Sequence, residues 1–227
     1  MEHHGFSWIG LLPGPENLLT SALVATLILI FAAVVHRRLA VTEAAIEPED
    51  GVTLRNVAEM FVESISGLAE GVIGHGSERY VSLLASFFVF ILVANLLGLV
   101  PGFTPPTSDF NITFALGVIA FVAYHVEGAR EHGGKYVKQF LGSVIFLYPL
   151  MFVVEIFSHA FRPVSLGIRL FANMTADHEV VRIFTELTYL VVPVVFYVLG
   201  AFVSVVQAFV FTMLSAIYIA LAVSHDH

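Results

Sequence analysis

The chain has 227 residues, 58% of them hydrophobic and only 12% charged. That is too little polar surface to coat a soluble globule of this size, so most of the chain must face lipid or protein. A formal net charge of −8 argues against nucleic acid as a partner, and the absence of cysteine removes disulfides, thiolate metal sites and cysteine nucleophiles.

Met1 to Glu16 is acidic and holds Pro and Gly where a cleavable signal has a basic start and an apolar core, so the N-terminus is expected to stay on the protein. A bilayer core of ~30 Å needs about 20 apolar helical residues. The first expected spanning helix is 17–36, uncharged from Asn17 to Val35 and stopped by His36, Arg37 and Arg38. Residues 52–74 carry charges and cannot span. Their apolar positions Leu54, Val57, Ala58, Phe61, Ile65, Leu68 and Val72 recur at helical spacing, opposite Arg55, Glu59, Glu63 and Glu70. That pattern predicts an amphipathic helix along the membrane interface, with an ordinary helix on the soluble side as the alternative.

Residues 80–100 form a second expected span, ended by Pro101-Gly102 and a loop through Pro105 and Pro106 that cannot continue a helix. A third, shorter span is expected at 110–127, followed by a polar connector with Arg130, Lys135 and Lys138. The last two apolar stretches, 139–186 and 188–224, are longer than a perpendicular crossing requires; the first would reach ~70 Å if wholly helical. Steep tilt, a break, or both are expected, with Pro149, Pro163, Gly167 and Pro193 as candidate places. Without an internal repeat or low-complexity tract, residues 1–227 read as one all-α polytopic membrane domain. It would comprise three spanning helices, an interfacial amphipathic helix and a C-terminal hairpin of two long tilted helices.

Basic residues near the span ends, Arg37, Arg38, Arg79, Arg130, Lys135 and Lys138, all fall on one side. The segment before the first span and the loop from Pro101 to Asp109 contain no Lys or Arg. By the positive-inside rule the N-terminus is expected outside and the C-terminus in the cytoplasm. The ten histidines are the only surplus of metal ligands, and His3, His4, His36, His225 and His227 are too scattered for one shared site, so no metal is expected.

Glu155, Arg162, Arg169, Asp177, His178, Glu179, Arg182 and Glu186 lie within the long apolar stretches, although an ionised side chain at a helix centre in lipid costs ~2.5–3.5 kcal/mol. Glu155, Ser158, Arg162, Ser165, Arg169 and Asn173 are separated by 3, 4, 3, 4 and 4 residues and fall within ~80° of one helix face, a polar stripe roughly 27 Å long. Two readings fit. One is a buried seam of a helix bundle, with Glu155 pairing Arg162; the other is a hydrated route for ions. In the second, Arg169 is pivotal, because a guanidinium cannot relay protons but draws a passing carboxylate into its ionised state and blocks leakage. Gln207, with Ser204 and Ser215 among small residues of the last helix, is either helix glue or channel lining. The Asp177-His178-Glu179 cluster is either a proton-uptake point or a solvated group at a helix bend.

The run Pro163-Val164-Ser165-Leu166-Gly167-Ile168-Arg169-Leu170-Phe171-Ala172-Asn173-Met174 resembles the signature of the a subunit of F-type ATP synthases. Gln207-Ala208-Phe209 with Tyr218 is similar to that family's last helix, and Asn95 to Pro101 and Asp109 to Thr113 extend the likeness from the second span to the end. The resemblance implies a stator subunit that is not catalytic alone and needs no cofactor. Its partners would be a ring of c subunits, the b-subunit stator and the remaining ATP synthase subunits, in a bacterial inner membrane. It implies two offset half-channels that load and unload the ring's carboxylates around Arg169, coupling proton flow to ATP synthesis. The choice between H⁺ and Na⁺ would rest mainly with the ring.

By that likeness Asn173, His178 and Gln207 match the outer route, and Glu155, Ser158, Arg162 and Ser165 the route to the cytoplasm. Some bacterial relatives have Glu at the position of His178, His or Glu at that of Gly200, and an acidic residue at that of Gly98. The proton-handling group therefore stays open between His178 and Glu179. The alternatives are a self-contained secondary transporter or channel with a mid-membrane polar site, and a scaffold whose stripe only docks a partner helix; the repeated pair of interrupted helices common in transporters is missing from this sequence.

Overall fold

Long apolar runs can satisfy their backbone polar groups without water only as helices or closed barrels, and this chain takes the helical solution. The computed structural model describes residues 8–9, 13–40, 53–74, 76–133, 136, 148–187 and 191–224, with no strand among them. The helices are α1 (Glu16–Ala40), α2 (Leu54–Ile73), α3 (Glu78–Leu97), α4 (Phe110–His132), α5 (Tyr148–Leu187) and α6 (Val191–Val223), with a 3-10 turn at Pro106–Ser108. All but α2 are long and apolar enough to cross a membrane. The expected start of the fourth apolar stretch at 139, and its junction with the fifth at 188, lie outside the described residues.

Local chemistry sets the boundaries. Thr53 caps α2 by accepting from the Asn56 N–H at 3.2 Å, and Asp109 caps α4 by accepting from the Asn111 N–H at 2.7 Å. Gly74 and Gly133, at φ 86° and 55°, end α2 and α4 in conformations that other residues rarely adopt.

The bundle has two distinct ends. At the proline-loop end, Asn17 Nδ2 donates to Asp109 Oδ2 at 2.6 Å and Thr104 Oγ1 to Glu16 Oε1 at 3.0 Å, tying the start of α1 to the loop between α3 and α4. At the other end Arg79 of α3 pairs with Glu131 of α4 at 3.2 Å, and both line an open cavity with Val72 and Ile73 of α2 and Leu221 and Val223 of α6. Two layers of core connect these ends. Phe87, Ile91, Leu116, Leu166, Leu170, Met174 and Phe211 join α3, α4, α5 and α6, whereas Ile65, Ala69, Tyr80, Leu84, Tyr124 and Ile219 join α2, α3, α4 and α6.

Two details differ from the sequence expectation. The helix α5 runs unbroken through Pro163 and Gly167, and Pro193 falls in the first turn of α6, where its missing N–H leaves nothing unpaired. The proline is accommodated by α4: a Cβ at Gly117 would lie 2.5 Å from the Pro163 carbonyl oxygen, and one at Gly167 would lie 3.0 Å from Phe114 Cα, so the two backbones touch. Helices of 40 and 33 residues extend ~60 Å and ~50 Å. In α2, Arg55 is not on the open face but buried, with its Nε donating to Glu59 at 2.7 Å, while Leu54 and Val57 are exposed. Pairing with Glu59 makes that burial tolerable.

Candidate functional site

The six-residue stripe on α5 divides in two. One part turns into the bundle. His159 Nε2 lies 3.3 Å from Glu155 Oε1, His159 Nδ1 lies 2.9 Å from the Tyr124 hydroxyl, and Arg162 donates to the same Nδ1 at 3.4 Å. The Arg162 guanidinium also stands over the rings of Tyr124 and Tyr218 at 5.6 and 5.1 Å. Because a guanidinium can only donate, Nδ1 is assigned as the acceptor, which puts the imidazole proton on Nε2 facing Glu155. Behind this group His125 Nδ1 meets the Tyr136 hydroxyl at 2.8 Å, and burial pushes the Tyr136 phenol up in pKa against the opposing pull of Arg162. The direct Glu155–Arg162 pair of the bundle-seam reading is thus replaced by one bridged through His159. Sequence reasoning missed His159, which sits beside the stripe rather than on it; its i+4 spacing from Glu155 was the available signal.

The other part faces outward. Ser158, Ser165, Arg169 and Asn173 are all exposed, and among the described residues the Arg169 side chain has no hydrogen-bond or ionic partner. Its backbone is held instead: Gln207 Nε2, on α6, donates to the Arg169 carbonyl oxygen at 3.0 Å, with Gln207 only 5% exposed. That hydrogen bond ties α6 to the turn that carries the arginine. Phe161 and Ile168 of α5 and Val195, Val198, Phe202, Val206 and Phe209 of α6 are exposed as well. An apolar surface of this kind with one bare cation in it fits a partner that brings both apolar helices and an anion.

Further toward the proline-loop end, His178 and Asp177 occupy notches. His178 Nε2 stands where a Cβ on Gly98 would be, beside Pro105, and Asp177 Oδ2 lies 2.6 Å from the position of a Cβ on Gly200 of α6. Glu179 points elsewhere and pairs with Arg182 at 2.5 Å, both about half exposed. The candidate residues therefore fall into three groups along α5 rather than one channel wall. Among the described residues no three His, Asp or Glu side chains converge as a metal site.

Five membrane-length helices among the described residues, one of them carrying an arginine with no partner there, define a helical membrane protein. The family model of the ATP synthase A chain matches residues 18–220. The ATP synthase subunit a of Bdellovibrio bacteriovorus is 45% identical over 98% of this chain and 99% of its own length. That of Geotalea uraniireducens is 42% identical over 77% of this chain and 76% of its own, and that of Solibacter usitatus 38% identical over 89% and 87%. The chain belongs to the ATP synthase A chain family.

Proposed function

We propose that this chain is the ion-translocating stator subunit of a rotary ATP synthase, and that Arg169 is the cation its mechanism turns on. The observation that carries the role of Arg169 is its setting: a permanently charged side chain exposed midway along a membrane helix, with its backbone fixed by Gln207 and, among the described residues, no in-chain anion to meet it. A carboxylate arriving on a neighbouring c-ring helix would be drawn into its ionised form there and would release its ion. Arg169 would then separate two routes, so that ions cross only by riding the ring. Asn173, His178 and Gln207 border the route at the proline-loop end, with Glu179 at its rim. Glu155, Ser158, Arg162 and Ser165 border the route at the other end. The chain itself performs no covalent chemistry and binds no cofactor in this scheme; it works with the c ring, the b subunit and the other subunits of the complex.

The membrane arrangement follows from lengths and charges. Helices of ~50–60 Å fit a hydrocarbon core of ~30 Å only when steeply tilted, which makes α5 and α6 a tilted hairpin beside three ordinary spans, α1, α3 and α4. With its exposed Leu54, Val57, Met60 and Val62, α2 lies along the interface. The proline-loop end faces outward and the C-terminus faces the cytoplasm of a bacterial inner membrane, a reading supported by the basic residues at the opposite end. Membership of the family speaks against the self-contained transporter.

The test is ATP-driven proton pumping in vesicles holding the whole complex, with the native chain or Arg169→Ala and with c-ring content measured in both. The expected result is pumping at background with assembly retained. Pumping at more than about a tenth of the native rate would reduce Arg169 to a packing residue.

A further inference from the structure

The corner of the bundle where α2, α4 and α6 end and α3 begins takes no part in the ion route. It holds an open cavity of about 530 Å³, inside the ~300–1,000 Å³ of ordinary ligand pockets. Its charged rim is the Arg79–Glu131 pair, 3.2 Å apart. Its walls are apolar: Val72 and Ile73 come from the last turn of α2, and Ile217, Ala220 and Leu221 from the last turns of α6.

The depth of this corner is fixed by the spans that frame it. Arg79 is the second residue of α3 and Glu131 the last but one of α4, and both helices are long and apolar enough to cross a membrane. The 20 residues of α3 rise ~30 Å, the thickness of a hydrocarbon core, so its first turn lies where acyl chains give way to headgroups. Ile217 lies ~9 Å back along α6 from Val223, and Leu221 is half exposed, so the apolar wall continues from the rim into a lipid-facing surface.

The rim is set for a particular headgroup. Gly74 and Gly76, at φ 86° and 83°, make the tight turn between α2 and α3, and the Arg79 guanidinium stands over the Tyr80 ring at 5.1 Å. Arg79 Nη2 donates to Glu131 Oε2, which among the described residues leaves the rest of a half-exposed fork for a ligand, and that fork suits a phosphate. The Glu131 carboxylate has about four lone-pair sites and so can accept from a ligand as well as from Arg79. Next to the pair, Arg130 is bonded to Glu127 at 2.7 Å, so the ion-paired charges of this corner cancel. A balanced rim with guanidinium beside carboxylate matches a headgroup that is itself an anion beside a cation. A headgroup with negative charge alone would be repelled by Glu131.

We propose that this corner binds a phosphatidylethanolamine, with its phosphate on Arg79, its ammonium on Glu131 and the upper part of its acyl chains along α2 and α6. A choline lipid fits less well, because its quaternary nitrogen has no N–H to donate to Glu131, and a glycerol headgroup brings no cation at all. The bound lipid joins α2, the one helix too polar to span, to α3, α4 and α6. This site depends on the membrane placement of the helices and not on the stator reading, so the outcome at Arg169 leaves it untouched.

The experiment reconstitutes the full-length chain in vesicles holding phosphatidylethanolamine, phosphatidylcholine and phosphatidylglycerol in equal amounts with identical acyl chains, and counts the lipid kept on the released chain by native mass spectrometry. The native chain is expected to keep the ethanolamine lipid at least about fivefold over either of the others. Glu131→Gln should bring the three within about twofold of one another, and Arg79→Gln should lower the ethanolamine and choline lipids alike. Ala220→Trp, which fills the cavity and leaves both charges in place, should abolish retention. Glu131→Lys leaves two cations at the rim and should favour the glycerol lipid over the ethanolamine one, a reversal that misfolding does not produce. The proposal is overturned if the native chain keeps the three lipids equally, prefers the glycerol lipid, or keeps none because its own residues fill the cavity. An ethanolamine preference that survives Glu131→Gln or Ala220→Trp overturns it as well.

Discussion

Arg162 and Arg169 stand two turns apart on one helix, and the chain treats them in opposite ways. Arg162 is met from within: His159 accepts from it, two tyrosine rings lie under its guanidinium, and Glu155 is reached through the imidazole. Arg169 has its backbone clamped and its charge left bare. A charge inside a membrane must find a counter-charge somewhere. Where the chain supplies it, the arginine is part of the bundle; where the chain does not, the counter-charge must arrive on another molecule. The difference gives each arginine its own failure. Changing Arg169 to Gln should reduce coupled pumping at least a hundredfold while leaving the chain's thermal unfolding within about 2 °C of native, because an exposed side chain with no internal partner contributes little to folding. Retained pumping would mean that Arg162 can stand in for it and that the contrast has no functional content.

The reverse pattern is expected for Arg162. Each aromatic contact of a shielded guanidinium contributes ~1–2 kcal/mol, and its removal also frees the His159 imidazole to change tautomer. Arg162→Leu should therefore lower the unfolding temperature of the detergent-solubilised chain by roughly 4 °C or more, following the usual few degrees per kcal/mol. Pumping by complexes that assemble should fall by less than tenfold. A loss of pumping as deep as that of Arg169→Gln, with unchanged melting, would place Arg162 in the ion route proper rather than in the wall that supports it.

How much of this is legible in the sequence follows from what a one-dimensional pattern can carry. The membrane helices are written in apolar runs and their interruption by charge, and the polar stripe in its 3- and 4-residue spacing, so α1, α3, α4 and the face holding Arg169 can be read directly. Spacing places side chains on a helix face but does not say how a long side chain bends once neighbouring helices arrive. Hence Arg162 belongs to the stripe by spacing, although Tyr124 and Tyr218, from α4 and α6, draw it inward. Arg55 falls on an open face by the same rule and is buried, paired with Glu59 of its own helix. The unbroken course of α5 through Pro163 is equally hidden, since it depends on Gly117 of another helix yielding space to the proline's carbonyl. The glycine notches are the extreme case, because the informative atom is the Cβ that residues 98 and 200 do not have.

The smallest effect tests the contrast most closely, because it alters what surrounds Arg169 and not Arg169 itself. Gln207→Leu removes the donor that holds α6 to the Arg169 carbonyl. Within a helix that carbonyl keeps its i+4 partner, so the loss is one neutral hydrogen bond, about 1 kcal/mol, and pumping should fall no more than about fivefold. Gln207→Glu loses the same donor and adds an anion within one side-chain length of the arginine's turn. If Arg169 works because no in-chain group claims its charge, the introduced carboxylate should capture it much as the His159–Glu155 pair holds Arg162, and the glutamate variant should pump several times more slowly than the leucine one at equal assembly. Equal rates for the two would mean that the bareness of Arg169 is incidental and that only the position of its backbone matters.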